Sequence, residues 1–416
     1  MKFSEFKYQR PNQEQVVQHF NSLLDDLKES NTLEEQNNIF NSISELRSHF
    51  ESMAQLAKIR HTIDTTDEFY KDEQEHYDQI GPVYQGLIID YYQALNKSRF
   101  KPKLAEKWGN QLFSVSELML KTFSSEIIED LQLENKLTSQ YTRILASAKI
   151  NFEGEERNLA QLVPFQQADD RDTRKKASAA KYDFFKGNEQ QLDKIYDKLV
   201  QTRTKIARQL GFENFIELGY ARLSRTDYGP DEVAIFREEV LNHIVPLTKE
   251  LKKRQAERLG LDALKYYDDK YLFKSGNPLP KGEANWIVAN AQRMYQELSP
   301  ETGEFFDYML QNELMDLMSK KGKAGGGYCT FLSQFEAPFI FSNFNGTSGD
   351  IDVLTHEAGH AFQVYSSRKL EVPEYYWPTL EAAEIHSMGM EFLAWPWMNL
   401  FFAEDTEKYK FMHLSE

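Results

Sequence analysis

From Asn12 to Ile80 the chain contains neither glycine nor proline. A segment without either breaker has few ways to turn, so it must run as long helices. Its apolar residues recur at helical spacing: Val16, Phe20, Leu23, Leu24 and Leu27, then Ile39, Ile43, Leu46 and Phe50. The spacing predicts two or more long amphipathic helices whose apolar stripe is core rather than a cofactor box. The pattern resumes over 83–96, 103–125 and 126–147, punctuated by Gly81-Pro82, Lys101-Pro102 and Lys107-Trp108-Gly109. Near 148–165 the texture changes. AKINFEGEERNLAQL sets a glycine turn between short apolar segments, as a small hairpin does. These readings divide the chain into a helical N-terminal domain, 1–150, and a second domain, 151–416.

In the second domain helices are expected at 168–185, 188–210, 230–258 and 281–298, separated by loops such as SRTDYGPDE and FKSGNPLPKGE. At 324–350, AGGGYCTFLSQFEAPFIFSNFNGTSGD, three glycines lead into two aromatic-rich segments, 328–335 and 339–344, that read as strands. Pro338 cannot donate to a ladder, so the second strand is expected at the edge of its sheet. NGTSGD then forms a loop in which Ser348 or Asp350 is placed to cap a following helix. The fold class is mainly α, with one small β-sheet immediately before that helix.

The helix carries LTHEAGHAF, residues 354–362, in which two histidines stand four apart with a glutamate after the first. On a helix, positions i and i+4 lie on one face about 5–6 Å apart, so His356 and His360 can reach one Zn²⁺. Glu357 is rotated by one position, where it meets a water beside the metal. Catalytic zinc with two histidines needs a third protein ligand. A histidine six residues beyond His360 would supply one in some families, but that position is Ser366. The remaining source is a second helix, WPTLEAAEIHSMGMEFLAW. Pro378 and Thr379 mark its entry, and Glu381, Glu384, Met388, Glu391 and Trp395 share one stripe. Its apolar neighbours suggest burial on nearly all sides, and buried carboxylates call for a cation. Glu384 and Glu391 are two turns apart, about 10.5 Å along the axis, too far to bind one metal together. His386 projects away from Glu384. Glu384 is the expected third ligand, with Glu381 the alternative on geometry alone.

HEAGHAF followed by EIHSMGMEF, with GGGYC and APFIFSNFNGTSGD before them, resembles the oligoendopeptidase F branch of the thimet-oligopeptidase family. The likeness extends upstream through INFEGEERNLAQL, RDTRKKA and ARQLGFENF, over roughly 140–416. It implies a thermolysin-like zincin core behind a helical domain that walls a channel, and it implies one zinc ion. The two histidines and Glu384, the first glutamate of the pattern E-x-x-S-x-x-x-E, would hold the metal. Hydrolysis of internal bonds in short, unfolded peptides is the implied activity, with Glu357 taking and returning the water's proton. Asp352 and Glu391 are candidates to hold ligands from behind, Asp352 by accepting the other ring N–H of His356 or else by facing the helix dipole. Ala337 and Phe339 are placed on the strand edge that would receive peptide. Family members continue well beyond the ligand glutamate, whereas 32 residues follow Glu384 here. The ending EDTEKYKFMHLSE reads as a helix cut mid-course, so part of the C-terminal region is expected to be missing.

Composition narrows the alternatives. A net charge of -16 argues against nucleic acid, which draws affinity from clustered cations. Pairs such as Lys175-Lys176 and Lys252-Lys253 read as solvated helix faces. One cysteine, Cys329, allows no intrachain disulfide and fits a reducing, cytoplasmic compartment. It reads as a small buried hydrophobe. MKFSEFKYQRP lacks an apolar leader, and no 18-residue apolar run occurs, so no membrane partner is expected. A zinc-containing peptide-binding protein without turnover is the second reading, and a metal-free helical protein the third. A binding protein has no need of Glu357 beside the metal.

Overall fold

The computed structural model describes residues 1–415. The glycine-free segment forms three helices, α1 (Gln13–Glu29), α2 (Leu33–Ile63) and the start of α3 (Glu68–Lys97). Polar caps make the breaks that glycine and proline do not. Asn12 accepts from the Gln15 N–H, Thr32 and Glu35 form a reciprocal capping box, and Asp67 accepts from the Tyr70 N–H.

Gly81-Pro82, expected as punctuation, lies inside α3. Pro82 has no N–H for the Asp78 carbonyl one turn back, which would leave a buried acceptor. Asn135 Nδ2 reaches that carbonyl at 3.2 Å from α4 (Ile128–Ala146), so the helix continues. Gly187 likewise interrupts nothing, and α5 runs from Arg171 to Gln209. The hairpin at the change of texture is present as β1 (Ile150–Phe152) and β2 (Glu155–Arg157), turned by Glu153 and Gly154 at positive φ.

The helix expected over 230–258 is a continuous rod with a π turn at Val240–Ile244 just before Pro246, after which α6 runs Val245–Leu259. Two further helices, α7 (Ala284–Leu298) and α8 (Pro300–Gln311), pack behind a three-stranded sheet. Its members are β3 (Met315–Met318), β4 (Tyr328–Leu332) and β5 (Ala337–Phe344), in the order β3-β5-β4. β5 is therefore central, parallel to β3 and antiparallel to β4. The expectation that Ala337 and Phe339 lie on an open edge is overturned: they are 0% and 1% exposed. Proline is tolerated because of where β3 begins. The Ile340 N–H donates to the Leu314 carbonyl, so Pro338, two residues earlier, faces the same side beyond the end of β3. No donor is required there. β3 and β4 are the edge strands instead. β3 went unread because its four residues, MDLM, carry no strand period.

The sheet joins the two ends of the chain. One core cluster takes Phe50, Leu56 and Ile59 from α2 together with Phe305, Phe306, Phe339, Phe341 and Leu354. Each such side chain contributes about 1.5–3 kcal/mol on burial. A second cluster, built around Phe20, Phe40, Tyr91 and Trp108, belongs to the N-terminal helices and takes Val372 from the far region, with Tyr375 packed against it. Between the clusters lies a buried ion pair, Arg47 Nη1 to Glu374 Oε1 at 2.7 Å, with the Tyr92 hydroxyl donating to the same oxygen at 2.8 Å. No helix among the described residues is long and apolar enough to cross a membrane.

Candidate metal centre and active site

β5 leads through NGTSGD into α9 (Gly349–Ser367), which carries the two histidines. Ser348 occupies the cap position without a side-chain cap bond. Asp350 fastens the loop instead, its oxygens accepting from the N–H groups of Asn345 at 2.9 Å and Gly346 at 2.8 Å. Burial pushes its carboxyl up to about 6 against those bonds.

The helical spacing brings the His356 and His360 rings to 4.9 Å between centroids, almost perpendicular at 83°. Both turn Nε2 towards Glu384 on α10 (Leu380–Leu393), at 3.2 Å from His356 and 3.7 Å from His360. One ligand atom from each of the three lies within 4.8 Å of the other two. Glu381, the alternative, is engaged elsewhere by the Arg225 guanidinium and the Tyr228 hydroxyl. His386 folds its Nδ1 back onto the Ala382 carbonyl at 3.0 Å.

Gly359 explains how the two helices come so close. A Cβ there would lie 2.5 Å from the His386 carbonyl oxygen and 2.6 Å from Ser387 Cα, so any side chain would force α10 off α9. Ser387 then orients the Glu384 carboxylate, donating to its Oε2 at 2.9 Å. α10 is less buried than its composition suggested: Leu380, Ile385, Met388, Phe392 and Leu393 are exposed, although the Phe392 ring meets those of Trp395 and His413 at 5.0 and 5.2 Å.

Behind the histidines the arrangement differs from the expectation for Asp352. Nδ1 of His356 meets Glu391 Oε1 at 2.7 Å, and Asp352 Oδ1 accepts from the Tyr409 hydroxyl at 2.6 Å. Asp352 and His356 sit one turn apart on the same helix, whereas Glu391 reaches across from α10. The second Glu391 oxygen faces His413 Nε2 at 2.6 Å on α11 (Thr406–Ser415). Trp395 Nε1 donates to His413 Nδ1 at 3.3 Å, which leaves the His413 proton on Nε2, pointed at Glu391. Burial works against the Glu391 charge, but the two histidine hydrogen bonds hold its carboxyl down to about 2. A carboxylate on Nδ1 fixes the His356 proton there and leaves the Nε2 lone pair facing Glu384 and His360. Nothing in the local spacing marks His413 or Tyr409, whose partners lie 22 and 57 residues away.

Glu357 is 7% exposed and projects beneath the glycine turn. Burial pushes its carboxyl up to about 7, opposed by His356 and by the Cys329 N–H. His356 rises through its bond to Glu391, while burial lowers His360. His356, Glu357, His360 and Glu384 line a cavity of about 630 Å³ with Tyr328, Thr330 and Trp377. Cys329 borders it too, but burial and the Glu357 charge push its thiol up, so it stays protonated and is a poor nucleophile.

Residues 3–123 match the peptidase M3 N-terminal domain, and residues 165–279 and 301–415 match peptidase family M3. Among solved structures the chain is similar to Pz peptidase A with an inhibitor, at 61% identity and a TM-score of 0.99, covering 100% of this chain and 74% of that one. It is also similar to a protein provisionally described as an oligoendopeptidase F from Bacillus anthracis strain Ames, at 58% identity and a TM-score of 0.99, covering 100% and 76%. A protein provisionally described as a peptidase, from Chlamydophila abortus, shares the fold alone, at 16% identity and a TM-score of 0.59. No curated protein matches. With both family models aligned along the chain and its sheet, HExxH helix and carboxylate helix in place, the protein belongs to the oligoendopeptidase F branch of peptidase family M3, and is a metalloendopeptidase.

Proposed function

We propose that this chain hydrolyses internal bonds of short, unfolded peptides with one zinc ion held by His356, His360 and Glu384 and with Glu357 as general base. The observation that carries the reading is the convergence of two imidazole nitrogens and one carboxylate from two helices on a cavity that also holds the Glu357 carboxyl. That donor set suits zinc, which takes nitrogen and oxygen ligands in catalytic sites and leaves a position open. When bound, zinc would polarise the scissile carbonyl and make water a stronger acid. Glu357, whose carboxyl titrates close to neutrality, accepts the proton of the attacking water and passes it to the leaving amine. Glu391 holds His356 in its working tautomer, and His413 holds Glu391.

β4, the sheet edge beside the cavity, is the strand that offers main-chain groups to an extended peptide, in place of the segment around Ala337 and Phe339. The sequence of such a peptide is read weakly by backbone pairing, which suits a peptidase of broad selectivity.

Metal analysis of the purified chain tests the site: one zinc per chain is expected, and Glu384→Gln should lose it. A chain that retains stoichiometric zinc after both Glu384→Gln and His360→Ala would require another ligand set. Stoichiometric zinc without cleavage of an internally quenched peptide would favour the peptide-binding reading. Glu391→Gln is expected to weaken zinc binding by about 10–100-fold, measured by competition with a chelator, without removing a direct ligand.

A further inference from the structure

We propose that Arg258 binds the C-terminal carboxylate of the peptide substrate, in a second cavity that continues the peptide's path beyond the metal centre. The proposal rests on the peptidase reading above and adds the feature that selects one end of the substrate.

The second cavity measures about 660 Å³ and is bordered by α6, the NGTSGD loop and the first turn of α9. It shares Gly327 with the metal cavity. A Cβ at Gly327 would lie 2.9 Å from Val353 Cγ1 and 3.3 Å from Glu357 Oε1, so a side chain there would crowd the point at which the two spaces meet. Direction follows from the sheet. β4 runs away from Gly327 towards Leu332, and an added strand pairs more stably antiparallel. A peptide laid antiparallel on β4 travels from the Leu332 end towards Gly327, and its C-terminal portion enters the second cavity.

Several cations border this cavity, but they are not equivalent. Lys252 already pairs with Asp269 at 2.6 Å and Arg254 with Glu250 at 3.0 Å, while Lys270 is exposed and its single ammonium cannot make a two-point bond. Arg258 is fixed by its own Nε, which donates to the Leu272 carbonyl at 2.7 Å, and by the rings of Phe273 and Phe411 at 5.2 and 5.1 Å. No carboxylate pairs with it among the described residues. Burial lowers the pKa of its guanidinium, as expected for a cation without a counter-ion. A guanidinium held by one edge, with no carboxylate on its terminal nitrogens among the described residues, is suited to a two-point bond with a carboxylate. Asp350 and Asp352 border the same space, but Asp350 accepts two loop N–H groups and Asp352 accepts from Tyr409.

The test is binding without turnover. A fluorescent peptide is titrated into the Glu357→Gln chain as its free acid, as its C-terminal amide, and as an amide ending in glutamate. The free acid should bind about tenfold or more tightly than the plain amide. Arg258→Met should abolish that preference by weakening the acid alone. If Arg258→Met also weakens the amide, Arg258→Gln, which keeps a donor for Leu272, carries the comparison. Equal binding of acid and amide with Arg258 intact overturns the proposal, as does a preference that survives both substitutions. An amide ending in glutamate that matches the free acid would overturn the assignment to the chain terminus and move it to a side chain. Because no cleavage is measured, a failure here leaves the zinc mechanism standing, and a chain that binds but never cleaves leaves the Arg258 result intact.

Discussion

Glu357→Gln is expected to lower kcat for an internally quenched peptide by about 10²–10⁴-fold while zinc content stays at the unmutated level. Glutamine is nearly isosteric, so it fits the space beneath Gly327, but it cannot accept a proton. The geometry makes the two readouts separable. Glu357 is a neighbour of His356 in sequence yet is not one of the three groups whose ligand atoms converge. KM should change much less than kcat if, as proposed, substrate affinity comes from the β4 edge and the cavities rather than from this carboxyl. Loss of zinc together with activity would make Glu357 a structural support of the metal, and unchanged turnover would remove it from the mechanism.

The second large effect is on stability. Arg47→Met is expected to destabilise the protein by about 3–5 kcal/mol, read as a fall in the first urea transition, because it leaves the Glu374 carboxylate buried without its cation. Arg47 is 8% and Glu374 6% exposed at the side chain. Burial alone would raise the Glu374 carboxyl, but the Arg47 guanidinium and the Tyr92 hydroxyl hold it below the ordinary 4.5. A folded-state value below the unfolded one means that the pair stabilises above pH 4.5 and that this stability is lost as the pH falls. In Arg47→Met the sign reverses. The carboxyl then titrates above its unfolded value, so the variant should regain stability as acid neutralises it. The double variant Arg47→Met, Glu374→Leu should recover much of the loss, since well-packed apolar residues substitute for buried pairs at little cost. A single variant as stable as the unmutated chain at pH 7 would show that the pair is not a joint between the N-terminal helices and the turn after α9.

Part of this site is legible in residue spacing alone. The i, i+4 histidines and a glutamate stripe on a following apolar helix point to His356, His360 and Glu384, because helical geometry is local and regular. The same logic names Glu391 without saying which atom it meets, since its partner lies 35 residues away. Of the two readings of Asp352, its place in the first turn of α9 holds, and the bond to His356 fails for the mirror reason: one turn of separation makes His356 the nearest candidate, while Tyr409 arrives from a distant helix. Pro338 misleads about the sheet because a missing donor matters only where a strand lies opposite, and β3 starts too late to need it. Pro82 misleads in the same way, since Asn135 supplies the bond that the ring cannot accommodate. In each case the residue's own chemistry is plain, and the deciding partner is remote.

The contact at Gly359 has a dynamic consequence. α10 meets α9 backbone to backbone, with no side chain between them to absorb a displacement, while its outer face carries exposed apolar residues. Such a helix is either seated or released, with little in between. A metal shared by the two helices favours only the seated state, so chelation should raise amide exchange along α10 first and leave the aromatic core beneath the sheet protected. The carboxylate helix would then act as a latch whose closure is reported by metal occupancy.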